Sequence, residues 1–364
     1  MLSPPRQITG WLWVWIQNNA GGRKVEQLDF GEEDRYVRLD DKKDPLIKLN
    51  AIIPWELFRP RLRSVWREPE SKRKSNAGRK PWDEIVMFKT IILCALYNLS
   101  DEQVEYQILD RLSFTRFLGL ELKDRVPDAR TVWLYRDKLA QAGVIEELFA
   151  DFDAHLNKRG YKAMGGQIID ASIVSVPKQR NTRDENKRIK KGEVPGEWKK
   201  EKRAQKDTDA RWTKKRGTSY YGYKNHVNVD ANNKLIRGYG VTDASVHDSR
   251  VFEEILDENN SGEGVWADSA YRSKEMEKKL QEKRYRSHVH RKGSRNRPLG
   301  RWAEYANRIY SVVRVRVEHV FGAQSNDMGG RLLRSVGIVR ARAHIGLKNL
   351  AYNMRRLVYL EGAV

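Results

Sequence analysis

Three acidic residues, Asp170, Asp268 and Glu318, stand in settings that suit phosphodiester chemistry. Asp170 ends the apolar run Gly165-Gly166-Gln167-Ile168-Ile169. Asp268 ends Gly264-Val265-Trp266-Ala267 and leads into Ser269-Ala270-Tyr271-Arg272. Glu318 lies in Arg314-Val315-Arg316-Val317-Glu318-His319. Two carboxylates at strand ends and a third further along can converge on a pair of divalent metal ions. A phosphodiester resists attack because both it and its nucleophile are anionic. Two ions ~4 Å apart overcome this by activating a water or a 3′-hydroxyl and stabilising the leaving oxygen. Hard oxygen donors of this kind select Mg²⁺ or Mn²⁺. Each acid alone has a plainer reading: a strand-end Asp caps a turn, and Glu318 pairs with Arg314 four residues earlier. Asp243, His247 and Asp248 form a further cluster, read mainly as the rim of such a site, with a metal-binding role as the alternative.

The rest of the chain says whose phosphates these are. Net charge is +21 over 364 residues, and it is concentrated. Residues 178–217 hold 16 Lys and Arg against 7 Asp and Glu, and residues 283–356 hold 18 against 3. Between them these stretches carry more than the whole excess, which marks a polyanion footprint better than a diffuse charge would. His288 and His290, alternating beside basic residues, are expected to contact nucleic acid. The single cysteine, Cys94, excludes an intrachain disulfide and a Cys-ligated zinc site. No run reaches the ~18 apolar residues of a membrane span. The Trp-rich start, Trp11 to Ile16, is too short for one, and it lacks the cationic start and cleavage site of a signal peptide. No membrane partner is expected, and the expected location is the cytoplasm.

The elements that must position the acids are read from periodicity and punctuation. Residues 1–45 are an extension of unassigned role. Residues 46–150 read as helical: Pro81 opens a helix through the apolar stretch Ile85–Leu99. Ser100 with Gln103 makes a capping box, and Pro127-Asp128 opens a helix that stops near Gly143. Short helices with basic outer faces suit a helix-turn-helix-like DNA reader. Residues 151–364 are expected to hold a mixed α/β sheet. Its strands are Gln167–Val176, a hairpin turning at Ala231–Lys234, Val265–Asp268 and Arg286–His290, with helices over Ser249–Leu256 and Lys274–Lys283. The insertion 178–217 shows almost no apolar periodicity and is expected to be a loop or mobile segment. Residues 313–318 alternate with period two and read as a strand, yet Tyr310, Arg314 and Glu318, spaced four and four, would stack on one helix face over ~12 Å.

Together these motifs resemble DDE transposases of bacterial insertion sequences, in the group related to insertion sequence five. The resemblance runs from about Ile52 to Leu360. It is carried by Ala51-Ile52-Ile53-Pro54-Trp55, Gly78-Arg79-Lys80-Pro81, Tyr97-Asn98-Leu99-Ser100-Asp101, Pro127-Asp128-Ala129-Arg130-Thr131, Ile169-Asp170-Ala171-Ser172, Gly222-Tyr223-Lys224-Asn225-His226, Ala267-Asp268-Ser269-Ala270-Tyr271 and Arg316-Val317-Glu318-His319. It implies an RNase H-like catalytic domain over 151–364, behind an N-terminal helical DNA-binding domain over 46–150 and with a basic helical C-terminal region. It also implies that Glu318 is helical, and that Asp170, Asp268 and Glu318 are the catalytic, metal-binding acids, holding two Mg²⁺ or Mn²⁺.

The family's Tyr-Arg-Glu-Lys signature maps onto Tyr310, Arg314 and Glu318. Three residues rather than two separate Tyr310 from Arg314, and the lysine slot holds Ser325. Another cation, such as Arg331, is expected to take the lysine's place. Tyr310 and Arg314 are expected to orient a DNA phosphate, with Lys224 and His226 near the scissile strand. Trp198 and Trp212, amid the cations of the insertion, are expected to stack on an unpaired base. His247 and Asp248 are expected at the site's edge. Implied partners are the transposon ends and target DNA as duplexes, together with a second copy of the chain, since two ends must be joined. Bound to DNA, the chain would lie with the bacterial nucleoid. Two other readings stay open: a catalytically impaired relative that binds DNA without cutting, to which Ser325 points, and a metal-dependent nuclease on the same fold.

Overall fold

The structure, a computed structural model, describes residues 30–67, 80–215, 217–294, 296–330 and 332–362. The chain divides into two units, Met1–Asp44 and Pro45–Val364. In the first, the described part is the helix α1 (Phe30–Asp41) with the short stretch after it. Trp11–Ile16, Gly78-Arg79 and Arg331 lie outside the described residues.

The second unit begins with helices: α2 (Pro45–Ile52), α3 (Arg59–Trp66), α4 (Glu84–Tyr97), α5 (Asp101–Asp110), α6 (Leu112–Leu118), α7 (Ala129–Ala142) and α8 (Val144–Lys158). Their ends follow capping chemistry. Asp83, not Pro81, starts α4: its carboxylate accepts from Ile85 N at 2.8 Å and from Val86 N at 3.3 Å. The Ser100/Gln103 capping box opens α5, and Asp128 and Gly143 (φ 66°) bracket α7 as expected. Phe58, Phe88 and Phe152 are fully buried among these helices.

The sheet has six strands among the described residues: β1 (Gln167–Ser175), β2 (Arg211–Lys215), β3 (Thr218–Asp230), β4 (Ile236–Asp243), β5 (Gly264–Ala267) and β6 (Arg286–Val289). The order is β2-β3-β1-β5-β6, with β4 also paired to β3. Strand β3 runs antiparallel to β1, β2 and β4, whereas β5 is parallel to β1, and β6 to β5. The mixed α/β class and the β3–β4 hairpin are as read from the sequence. The helix expected over Ser249–Leu256 is instead a 3-10 turn, Asp248–Arg250, followed by further turns. Val251, Phe252 and Ile255 there plug a second core beneath Ile169, Val265 and Ala267. The helix Lys274–Glu282 crosses from β5 to β6.

The insertion is ordered, against expectation. It forms α9 (Arg183–Lys190), opened by a Thr182/Glu185 capping box, then α10 (Lys200–Gln205) and β2. Only a few apolar anchors hold it: Ile189, Trp198 and Ala210 are buried. A buried carboxylate does the rest. Asp207 accepts from Tyr223 Oη at 2.8 Å, and its carbonyl accepts from Tyr221 Oη at 2.8 Å. Too few apolar residues are involved for a period to show.

The remaining helices are α11 (Lys274–Glu282), α12 (Arg301–Gly322) and α13 (Ile338–Gly362), with a π-helical turn, Ala323–Asp327, ending α12. Glu318 is therefore helical. The apolar contacts in its neighbourhood fall at Val313, Val317 and Val320, which is a helix face, while Val312 and Val315 stay exposed. Helix α13 packs on α4, α7, α8 and β4, so the helices and the sheet share one core across residue 150. Its Asn353 brackets Ile236, accepting from N at 2.9 Å and donating to O at 2.7 Å.

Candidate active site

Strand register decides which side chains meet α12. On β1, Ile168 shares the main core with Val227 of β3 and with Val317 and Val320 of α12, while Ile169 faces the second core. Asp170 is the fourth of nine residues in β1 rather than its last. The β1–β5 ladder, however, stops at Ile169 and Ala267. Asp170 and Asp268 are thus the first residues beyond the same ladder on neighbouring parallel strands. Asp268 caps the 3-10 turn Ser269–Tyr271, accepting from Ala270 N at 2.7 Å.

Helix α12 brings the third acid through an arginine. Arg314 Nη1 donates to Asp170 Oδ2 at 2.8 Å, and Nη2 donates to Glu318 Oε1 at 3.4 Å. The side chain of Asp170 is 15% exposed and that of Glu318 58%. Burial pushes the Asp170 carboxyl up to about 6; the Ala171 N–H bond and the Arg314 charge oppose the rise, and the Asp268 charge adds to it. Tyr271, buried beside this group, has its phenol pushed well up by burial and by the charges of Asp170, Asp248 and Asp268. Its hydroxyl and Arg314 Nε are buried with no hydrogen-bond partner among the described residues.

A column of rings braces the helix against the sheet. Trp266 of β5 stacks on His288 of β6 at 4.7 Å, and Tyr310 meets the His288 ring edge-on at 4.8 Å. His290 follows at the strand end, its N donating to Ala267 O at 3.1 Å. Burial holds the His290 imidazole below its usual range; the Arg314 charge adds to this and that of Asp268 opposes it. The Arg314 and Asp268 charges thus both act on His290.

Several expected site residues fall elsewhere. Lys224 and His226 alternate with Val227, the partner of Asp170, so they project from the other face of β3. Lys224 pairs with Asp248 Oδ1 at 2.8 Å and donates to Val246 O, tying down the loop after β4. His226 is fully buried against Thr242, and burial pushes it down to about 4, so it is neutral at physiological pH. His247 caps the Asp248–Arg250 turn. Trp198 is 5% exposed and its indole donates to Glu185, which leaves no face open for a base. Trp212, 47% exposed, packs against Tyr221 and has the Lys178 ammonium over its ring. The Lys215 charge also opposes the rise of the Asp170 carboxyl.

Among the described residues no three His, Cys, Asp or Glu side chains stand close enough together to hold one metal ion. The acids nevertheless fit divalent cations by donor chemistry. All three offer hard carboxylate oxygens, and the Arg314 guanidinium already stands as a cation between two of them.

The family described as "Transposase DDE domain" matches residues 161–354, and a "Transposase domain (DUF772)" matches residues 33–138. A transposase for insertion sequence element IS1106 from Neisseria meningitidis serogroup B is 30% identical over 224 residues, covering 60% of this chain and 75% of that protein. A cryo-EM structure of the piggyBac transposase synaptic complex with hairpin DNA aligns at a TM-score of 0.43 and 12% identity, over 88% of this chain and 76% of that one. With the DDE domain spanning both sheet and α12, the chain belongs to the DDE transposases of bacterial insertion sequences.

Proposed function

We propose that the chain binds the terminal inverted repeats of its own insertion sequence, cleaves DNA strands at the element ends and transfers the resulting 3′-hydroxyls into target DNA. The observation that carries this reading is one guanidinium, Arg314, shared by Asp170 of β1 and Glu318 of α12, with Asp268 on the adjoining strand. A central strand flanked by one antiparallel and one parallel neighbour supports an RNase H-like sheet.

In this reading Asp170, Asp268 and Glu318 hold two Mg²⁺ or Mn²⁺. When bound, the ions supply an activated water or 3′-hydroxyl and a stabilised leaving oxygen. Arg314, released from the two carboxylates, presents its planar fork to a DNA phosphate. Tyr310, braced on His288, offers its hydroxyl on the same helix face. Helices of residues 46–150 and the basic C-terminal region grip the duplex, and a homodimer or larger assembly brings two ends together. Such a protein works in the cytoplasm, on nucleoid DNA; no described helix is long and apolar enough to cross a membrane.

The test is strand cleavage on a duplex containing the element's boundary, with Mg²⁺, comparing the wild type with Asp170→Ala. Nicking by the wild type and none by the variant, with binding retained by both, is the expected result. Binding by both and nicking by neither would leave a DNA-binding relative in place of an enzyme.

A further inference from the structure

Strands β1, β5 and β6 are parallel neighbours, so their C-terminal ends lie along one rim of the sheet. The β5–β6 ladder stops at Ala267 and Val289, and the β1–β5 ladder at Ile169 and Ala267. His290 is therefore the first residue past the last pair on β6, as Asp170 and Asp268 are on β1 and β5. The faces agree as well. Ile169, Ala267 and Val289 share the second core, and successive side chains alternate, so the next residue on each strand turns toward α12. Asp170, Asp268 and His290 thus form one row across three strands, with steps of about 4.8 Å. Helix α12 meets both ends of that row. Arg314 Nη1 donates to Asp170 Oδ2 at 2.8 Å, and Ser311 Oγ lies 3.4 Å from His290 Nε2. Ser311, Arg314 and Glu318, spaced three and four, share one helix face.

The bonding of Ser311 decides what His290 can offer. A serine hydroxyl has one proton. That of Ser311 goes to Asn307 O at 2.9 Å, so toward His290 the oxygen accepts and Nε2 carries the ring proton. Nδ1 of the neutral ring is then a lone pair, and no hydrogen bond occupies it among the described residues. A phosphate oxygen cannot donate to a lone pair. A water or a sugar hydroxyl can. His288, two residues earlier, has no such freedom, because its ring is held between those of Trp266 and Tyr310.

We infer that His290 orients the attacking hydroxyl of strand cleavage and strand transfer, its Nδ1 accepting a hydrogen bond from the water or 3′-hydroxyl on the β6 side of Asp268. This rests on the transposase reading above. The ring takes no proton; its contribution is alignment of the nucleophile, and Ser311 fixes the tautomer that makes it an acceptor.

The experiment uses the full chain and a labelled duplex spanning the junction between the element that encodes it and flanking DNA. Binding is followed by anisotropy without divalent metal, and single-turnover strand cleavage with Mg²⁺ at saturating DNA. His290→Gln places its amide where Nε2 stood, so it can still meet Ser311 but has no acceptor at the Nδ1 position. His290→Asn places a carbonyl where Nδ1 stood. His290→Gln should keep the melting temperature and DNA affinity of the wild type and cleave about 10–100-fold more slowly. His290→Asn should recover most of that rate. Wild-type cleavage by His290→Gln, or His290→Asn no faster than His290→Gln, overturns the orienting role and leaves the transposase reading intact. So does a loss confined to affinity, which would make His290 a binding residue only. If either variant melts lower than the wild type, Ser311→Ala at its exposed position carries the test: slower cleavage at unchanged affinity supports the role, and an unchanged rate overturns it. A wild type that does not nick this duplex overturns the transposase reading itself, and the orienting role with it.

Discussion

Removing the charge of Asp170 should stabilise the metal-free protein while destroying its activity. Burial raises this carboxyl from an ordinary 3.8 to about 6. A carboxyl whose folded value exceeds its unfolded value binds its proton more tightly in the native state. Its ionisation therefore costs stability as pH climbs from about 4 to about 6, and the cost is complete above that window. Two units correspond to about 3 kcal/mol, a large share of the ~5–15 kcal/mol that holds a domain together. Asp170→Asn keeps the shape and removes the charge. It also weakens the 2.8 Å bond from Arg314, which still has Glu318. A net gain of about 1–3 kcal/mol at pH 7.5 is expected, shrinking toward zero or reversing at pH 4. The assay is urea unfolding of both proteins in EDTA at several pH values, comparing midpoints at equal m. Taking the difference between the two proteins cancels the titrating groups that do not interact with Asp170. A wild type more stable than Asp170→Asn at pH 7.5, or a gap that does not change between pH 4 and 7.5, would refute the reasoning. Added Mg²⁺ should then stabilise the wild type and not the variant, because only a species that binds the native state shifts its equilibrium.

Two further substitutions test the scaffold. Asn349 of α13, fully buried, exchanges bonds of 2.9 and 3.1 Å with Asn225 of β3 and accepts from Gln324 at 2.8 Å in the turn that ends α12. Asn349→Leu strands buried amide groups on both neighbours and should cost about 3–5 kcal/mol, read as a fall in the urea midpoint at unchanged m. Gly222 sits where β3 passes from pairing with β2 to pairing with β1, at φ 154°, and a Cβ there would lie 2.2 Å from Val174 O. Gly222→Ala should cost about 3 kcal/mol or more, lowering the melting temperature by roughly 10 °C, and should let protease cut 178–217 sooner.

What the sequence made legible is whatever depends on local punctuation. Asp128 and Gly143 bracket a helix, Ala231–Lys234 turns a hairpin, and β1 and β5 announce themselves as apolar runs ending in Asp. What it hid depends on partners. The period-two run 313–318 counts every valine alike, although Val317 is buried and Val315 is not; only the sheet beneath α12 tells them apart. Lys224 and His226 are expected near the scissile strand, which needs them on the face of β3 that Asp170 meets. Yet a one-residue change of register exchanges the faces of a strand, and nothing local in Gly222–His226 specifies that register. The insertion hid its order for a related reason: a buried carboxylate and two tyrosines hold it, and polar anchors leave no hydrophobic period.

The acidic trio shows both limits at once. The donor residues are written plainly in the chain, and so is Arg314, four residues before Glu318. That this arginine lies across Asp170 as well follows only when α12 is laid on β1. Two carboxylates brought together without a cation would each raise the other's proton affinity. A fold that must assemble them before metal arrives gains from carrying its own counterion on the same helix, and Arg314 is in that place.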